Sequence, residues 1–146
     1  MKLENIMTTH LITIHPENTV MDAAKIMQTH NIGVIPVCQE GGKVVGIVTD
    51  RDIVVRNIAN NGDPGTTLIK DMMTKDVITA APNMSGDDAA RLMAQYKIRR
   101  LPVVQNDRLV GMVAIGDLAT SRHFNDEAGE ALGEISSPSR PMNIMQ

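Results

Sequence analysis

The chain has no tryptophan, and Tyr96 and Phe124 are its only large rings. A stacking platform for unpaired bases is excluded, because such platforms are built from aromatic faces. The core has to be assembled from Ile, Val, Leu, Ala and Met. Cysteine is almost missing too. Cys38 stands alone, so no intrachain disulfide and no cysteine cluster for a metal can form. No apolar run approaches the roughly 20 residues that span a bilayer, and Met1–Asn5 opens without the apolar stretch of a secretory signal. A soluble, cytoplasmic protein with no membrane partner is expected. Neither sign of charge dominates: 14 Lys and Arg face 17 Asp and Glu, a net charge of −3. With both signs interspersed, the chain lacks the electrostatic footprint of a nucleic-acid binder, although a local basic spot can still hold one phosphate.

The signatures of catalysis are missing as well. Of the four histidines, His10, His15, His30 and His123, none pairs with another at i, i+4, and there is no His-Glu-x-x-His. No Gly-x-x-x-x-Gly-Lys-Ser/Thr loop and no Gly-x-Ser-x-Gly elbow occurs. Cys38, at the end of a strand candidate, reads as a small buried residue rather than a nucleophile. No nucleophile, base and orienter come together, so neither an enzyme nor a metal site is expected.

What the chain does have is itself, twice. Displaced by 66 residues, Met7-Thr8 falls on Met73-Thr74, Ile12-Thr13 on Ile78-Thr79, and Pro16 on Pro82. Asp22-Ala23-Ala24 falls on Asp88-Ala89-Ala90, Met27 on Met93, Ile32 on Ile98, and Pro36-Val37 on Pro102-Val103. One residue is then lost in a turn. At an offset of 65, Val45-Gly46 falls on Val110-Gly111, Val48 on Val113 and Asp52 on Asp117. A self-match of this extent is the mark of a repeat architecture.

Each repeat reads alike. Ile12–Ile14 is a short strand candidate, ended by Pro16. Thr19-Val20-Met21-Asp22 and Ser85-Gly86-Asp87-Asp88 are helix-capping signals, with an acidic residue suited to the positive end of the helix dipole. Val20, Ala23, Ala24 and Met27 then form one apolar helical face, and Ala89, Ala90 and Met93 keep it. Residues 34–37 and 44–48 are apolar runs joined by Gln39-Glu40-Gly41-Gly42, a hairpin connection. Residues 101–104 and 109–113 repeat this around Asn106-Asp107. A second helix is expected after Asp50 and after Ile115. The fold class is α/β, two strand–helix–strand–strand–helix units in one fused domain. Residues 1–62 form the first repeat and 63–122 the second, with Asn60–Gly65 as a linker of turn formers. In the remaining stretch, 123–146, a short helix is expected over Asn125–Ile135 and disorder over Ser136–Gln146.

The ordered set of motifs resembles the tandem CBS motif, or Bateman module. It consists of Ile6-Met7-Thr8, Ile12-Thr13-Ile14-His15-Pro16, Asp22-Ala23-Ala24 with Met27, Ile32-Gly33-Val34-Ile35-Pro36-Val37, Gly46-Ile47-Val48-Thr49-Asp50-Arg51-Asp52 and, in the second half, Lys97-Ile98-Arg99-Arg100-Leu101-Pro102-Val103-Val104. The resemblance covers roughly residues 3–122 and is similar above all to small bacterial proteins made of one such pair. It implies two pseudo-symmetric halves with two clefts, in which AMP, ADP, ATP or S-adenosylmethionine binds. It also implies a homodimer, two pairs forming a flat disc of four motifs.

The resemblance further implies site residues. A ribose diol asks for an acceptor of two hydroxyl bonds, a phosphate for positive charge or free amides, and a base for an apolar slot. Asp52, with Thr49, is implied for the ribose; the same pair also reads as a helix cap. Asp117 repeats Asp52, but Ala114 lacks the hydroxyl of Thr49, so the two clefts are expected to differ. Arg99 and Arg100 are implied for the phosphate, since Arg makes charge-assisted bonds two at a time; a solvated pair or an ion pair at a dimer contact is the alternative. Arg51 is a further candidate. Ile12, Ile14, Ile35, Val37, Val77 and Ile78 would line the slot, although periodicity also makes them core. The expectation is a non-catalytic sensor with an adenine nucleotide as regulatory ligand and no required cofactor. Its output would pass to a separate effector protein. A constitutive dimerisation or protein-interaction module without nucleotide is the other reading.

Overall fold

The computed structural model describes residues 1–120 and, beyond them, Ile135 alone. The helix expected over 125–135, Ile135 apart, and the disorder expected over 136–146 fall outside the described residues. Among residues 1–120, four α-helices and four strands follow in the order α1 (Val20–His30), β1 (Val34–Cys38), β2 (Val44–Thr49), α2 (Asp50–Asp52), α3 (Gly86–Tyr96), β3 (Arg100–Gln105), β4 (Arg108–Ala114) and α4 (Ile115–Ala119). The strands pair as two two-stranded sheets, β1 with β2 and β3 with β4.

The capping signals work as read. Thr19 Oγ1 accepts from Asp22 N–H (3.1 Å), and Asp22 Oδ2 accepts from Thr19 N–H (2.9 Å), a reciprocal box at the start of α1. Ser85 caps α3 in the same way from its hydroxyl. Both helices are 11 residues long and end on a left-handed residue, Asn31 and Lys97. The β1–β2 hairpin closes through Glu40–Gly42, where Gly41 (φ +84°) and Gly42 (φ +86°) need a backbone that L side chains rarely adopt. A register shift follows at Val37/Cys38. The strand expected over 12–14 is reduced to one parallel bridge, Ile14 with Val37, in which Ile14 N–H donates to Pro36 O and Cys38 N–H to Ile14 O. The helix expected after Asp50 changes character. Past Asp52 it continues over Ile53–Ile58 as a π-helix, with Ala59 N–H reaching Val54 O.

The chain folds into two compact units that do not follow the order of the repeats. One comprises 1–9, 79–103 and 110 onward; the other comprises 10–78 and 104–109. The cause is an exchange of leading segments. The turn Ile69–Asp71 belongs to the second repeat yet docks on the first, with Ile69 N–H donating to Asn18 O (2.8 Å). Its counterpart Leu3–Asn5 docks on the second repeat, with Leu3 N–H donating to Met84 O (2.9 Å). Leu3 and Ile69 are both fully buried, and burying a side chain of this size contributes about 1.5–3 kcal/mol. The 10–78 unit has a core of Ile14, Val20, Ala23, Met27, Ile35, Val37, Val48, Ile69 and Met72. The other unit buries Leu3, Ala89, Ala90, Met93, Leu101, Val103, Val113 and Leu118. Every one of these residues is aliphatic or methionine, as the lack of rings requires.

Candidate functional site

In the 10–78 unit, β2 ends directly on α2, and the junction is tied by a second reciprocal box. Asp52 N–H donates to Thr49 Oγ1 (3.1 Å), and Thr49 N–H donates to Asp52 Oδ2 (3.0 Å). One oxygen of Asp52 is therefore spent on the fold. The other, Oδ1, has among the described residues only Arg56 Nε, at 3.7 Å, and the side chain is 15% exposed. Arg56 is held from behind, its Nη1 donating to Met72 O (3.2 Å). Oδ1 is thus a carboxylate oxygen with unused acceptor capacity at the head of a helix. Next to it, Gly33 O accepts from Asp50 N–H (2.9 Å), and a Cβ at Gly33 would lie 2.8 Å from Asp50 Oδ2. A side chain at position 33 would require the exposed Asp50 carboxylate to swing aside. Arg51 is exposed, and its N–H donates to Asp50 Oδ1 (2.8 Å).

The other unit repeats this junction with different chemistry. Asp117 Oδ2 accepts from Ala114 N–H (2.8 Å), but Ala114 has no hydroxyl to return the bond. Where Gly33 meets Asp50, Arg99 now meets Ile115, whose N–H donates to Arg99 O (2.8 Å). This arrangement sets the backbone of Arg99 against the head of α4, the helix that carries Asp117. Arg99 and Arg100 are exposed, and neither takes part in the ion pairs found among the described residues.

The candidate slot residues divide by burial. Ile14, Ile35 and Val37 belong to the core and have at most 4% exposure, so their side chains serve packing. Ile12, Val77 and Ile78 are half-buried. The 10–78 unit also contains a cavity of about 370 Å³ walled by Leu11, Thr13, Ile14, His15, Asn18, Ile26, Cys38, Gln39, Glu40, Gly42 and Leu109. It shares Ile14 with the candidate set but not Thr49 or Asp52. A polar chain runs from its rim into the α1 cap: Glu17 N–H donates to His15 Nδ1, His15 N–H to Asn18 Oδ1, and Asn18 Nδ2 to Asp22 Oδ2. Burial pushes the Cys38 thiol above its ordinary range, which keeps it protonated and slow as a nucleophile. Among the described residues, no group of three or more His, Cys, Asp or Glu is set to hold a metal, and no helix is long and apolar enough to cross a membrane.

Sequence reasoning did not anticipate Arg56 or the cavity. The signal for Arg56 was its i, i+4 spacing from Asp52 on the helix expected there. The cavity has no such signal, because its walls come from four separated stretches of chain.

The family follows from this architecture and from comparison. The CBS domain pattern matches residues 3–57 and again 69–123; the chain belongs to the CBS-domain family and carries the domain as a tandem pair. It is 45% identical over 134 residues to the CBS domain-containing protein YhcV of Bacillus subtilis, covering 92% of this chain and 94% of that one. Among solved structures it is similar to Hypoxic Response Protein I with two coordinated zinc ions, at a TM-score of 0.77 and 30% identity, over 82% of this chain and 98% of that one. It is also similar to the CBS domain pair of protein MJ0100 in complex with 5′-methylthioadenosine and S-adenosyl-L-methionine. That match has a TM-score of 0.72 and 37% identity, over 87% of this chain and 98% of the other.

Proposed function

We propose that the protein is a non-catalytic regulatory module that binds an adenosine-containing ligand, of the AMP, ADP, ATP or S-adenosylmethionine class. The observation that carries this reading is Asp52, fixed by its cap through Oδ2 while Oδ1 keeps acceptor capacity for a ribose diol. The likeness to the MJ0100 pair, which binds two adenosine derivatives, supports it. Asp117 is the second ribose acceptor, on a junction that Ala114 leaves uncapped. Arg99 and Arg100, exposed and without ion pairs among the described residues, supply charge for a phosphate or carboxylate; Arg51 is a separate candidate for such charge in its own unit. Ile12, Val77 and Ile78 offer half-buried apolar surface for the base, while Ile14, Ile35 and Val37 support it from the core. The ligand acts by binding two conformations unequally, and the output passes to a separate effector protein. The working form is a homodimer joined through the π-helical segment, whose Val54, Val55 and Ile58 are 58%, 45% and 52% exposed. An apolar cluster of this kind on a surface marks an interaction site.

Calorimetry with AMP, ADP, ATP and S-adenosylmethionine tests the reading. At ligand about 100 times its dissociation constant, stabilisation of about 2.7 kcal/mol is expected. Replacing Asp52→Ala removes charge-assisted bonds, each of about 1.5–3 kcal/mol, and should weaken binding about tenfold or more. The variant also loses half of a capping box, about 1 kcal/mol of stability. A chain that binds none of these ligands would instead be a constitutive interaction module. Unchanged affinity in the variant would remove Asp52 from the site.

A further inference from the structure

Two methionines lie across two strand glycines. In the 10–78 unit, the Met73 side chain crosses Gly46 of β2. A Cβ built on Gly46 would fall 2.9 Å from Met73 Cγ, closer still to its Sδ, and 3.0 Å from Thr74 O. In the other unit, Met7 crosses Gly111 of β4, where a Cβ would fall 2.8 Å from Met7 Cγ and 3.2 Å from its Cβ, again with Sδ nearest. Both glycines are buried and both methionines half-buried. The residue after each methionine makes a single reciprocal bridge to the strand. Thr74 N–H donates to Ile47 O and Ile47 N–H to Thr74 O, both at 2.9 Å; Thr8 N–H donates to Met112 O (2.8 Å) and Met112 N–H to Thr8 O (2.9 Å). Upstream, each segment is anchored by a fully buried side chain, Leu3 or Ile69, and at the strand the thioether seated on the glycine is the packing contact beside the bridge.

We propose that Met7 and Met73 are modification sites, at which a hydroperoxide oxidises the thioether to the sulfoxide and loosens the strand bridge beside each one. The sulfur lone pair attacks one peroxide oxygen, the O–O bond breaks, and the S–O bond forms. The departing hydroxide or alkoxide takes the proton from the transferred oxygen and leaves as water or an alcohol. The methionine is oxidised by two electrons and the peroxide reduced by two. The new oxygen is strongly polar and demands a hydrogen-bond donor. The notch between sulfur and glycine has no room for it. The half-buried side chain turns toward water, which empties the notch and leaves the bridge at Thr8 or Thr74 without the contact beside it, while Leu3 and Ile69 keep the preceding turns docked. Met27, Met72 and Met93 are buried at 8%, 6% and 0% exposure, which shields them while the fold holds. Enzymatic reduction of the sulfoxide restores the thioether.

The test treats the full chain with graded hydrogen peroxide, locates sulfoxide by peptide mass spectrometry, and follows amide hydrogen exchange. The expected result is sulfoxide at Met7 and Met73, with exchange at Thr8, Ile47, Thr74 and Met112 faster by about tenfold and reversed by methionine sulfoxide reductase. A chain carrying Met7→Leu and Met73→Leu should keep its protection under the same peroxide. The proposal is overturned if those four amides are unmoved once both sulfoxides have formed, if neither methionine is oxidised before the chain unfolds, or if the double variant loses protection equally. None of these readouts depends on whether a nucleotide binds.

Discussion

At the scale of single residues, the difference between the two helix heads is one hydroxyl. Thr49 and Ala114 occupy the same place, with extended backbones of φ −118°, ψ 162° and φ −108°, ψ 154°. Thr49→Ala should therefore cost about 1 kcal/mol, and Ala114→Thr, entering a backbone that already suits it, should return somewhat less than that. Urea midpoints of the two variants measure both. Equal and negligible shifts would mean that the carboxylates of Asp52 and Asp117 hold their junctions without help. The Thr-x-x-Asp spacing was legible in the sequence, and so was its ambiguity between cap and ligand. The structure engages it as a cap through Oδ2 and leaves Oδ1 as the atom with something to offer. What the sequence could not give was that division of labour between two oxygens of one side chain, because it depends on a hydrogen-bond direction rather than on a residue type.

The two long helices and both hairpins were readable at the scale of elements because each has a local cause: a cap, an apolar period of 3.6, a pair of glycines at a turn. The 12–14 strand was over-read. Alternation signals a strand only where a partner runs alongside, and here the partner offers a single bridge, Ile14 with Val37. The π-helical stretch was not legible at all, since Ile53–Ile58 carries the same residues whether its bonds span four or five positions. Its Ile-Val-Val start, stiff at χ1 and crowded in a regular helix, agrees with a looser winding. The caps bring a pH dependence. The Thr19 backbone N–H, with Asn18 adding to it, holds the Asp22 carboxyl below its ordinary range. A carboxyl depressed in the folded state contributes stability that is present above its unfolded pKa and is lost as pH falls through the folded one. Thermal stability should therefore fall on acidification below the ordinary aspartate range, and Asp22→Asn should flatten that fall. A variant that tracks the parent chain down to low pH would assign the acid sensitivity to other carboxyls.

At the scale of the whole molecule, the repeat made the fold readable, because an element seen weakly in one half was seen again in the other. The exchange of leading segments was hidden. Leu3 and Ile69 stand near the start of their own repeats in sequence, and nothing local says that each is buried in the core of the other one. Association is the property to measure here. If the π-helical segment joins two chains, then Val55→Asp combined with Ile58→Lys should give a species of half the mass in sedimentation equilibrium, with the secondary structure unchanged. A parent chain that sediments as a monomer would leave those side chains without a self-partner.

The exchanged segments also say something about ancestry. A single repeat of this kind cannot complete a unit from its own residues, because the turn that fills the unit's core belongs to the other repeat. As a separate polypeptide it could close its core only by trading that turn with a second copy, and its folding would then depend on concentration. Two copies on one chain, joined by the linker at 60–65, turn the trade into an intramolecular event at a high effective concentration. The duplication that doubled the motif thus did more than lengthen the chain: it made closure of each core an intramolecular event.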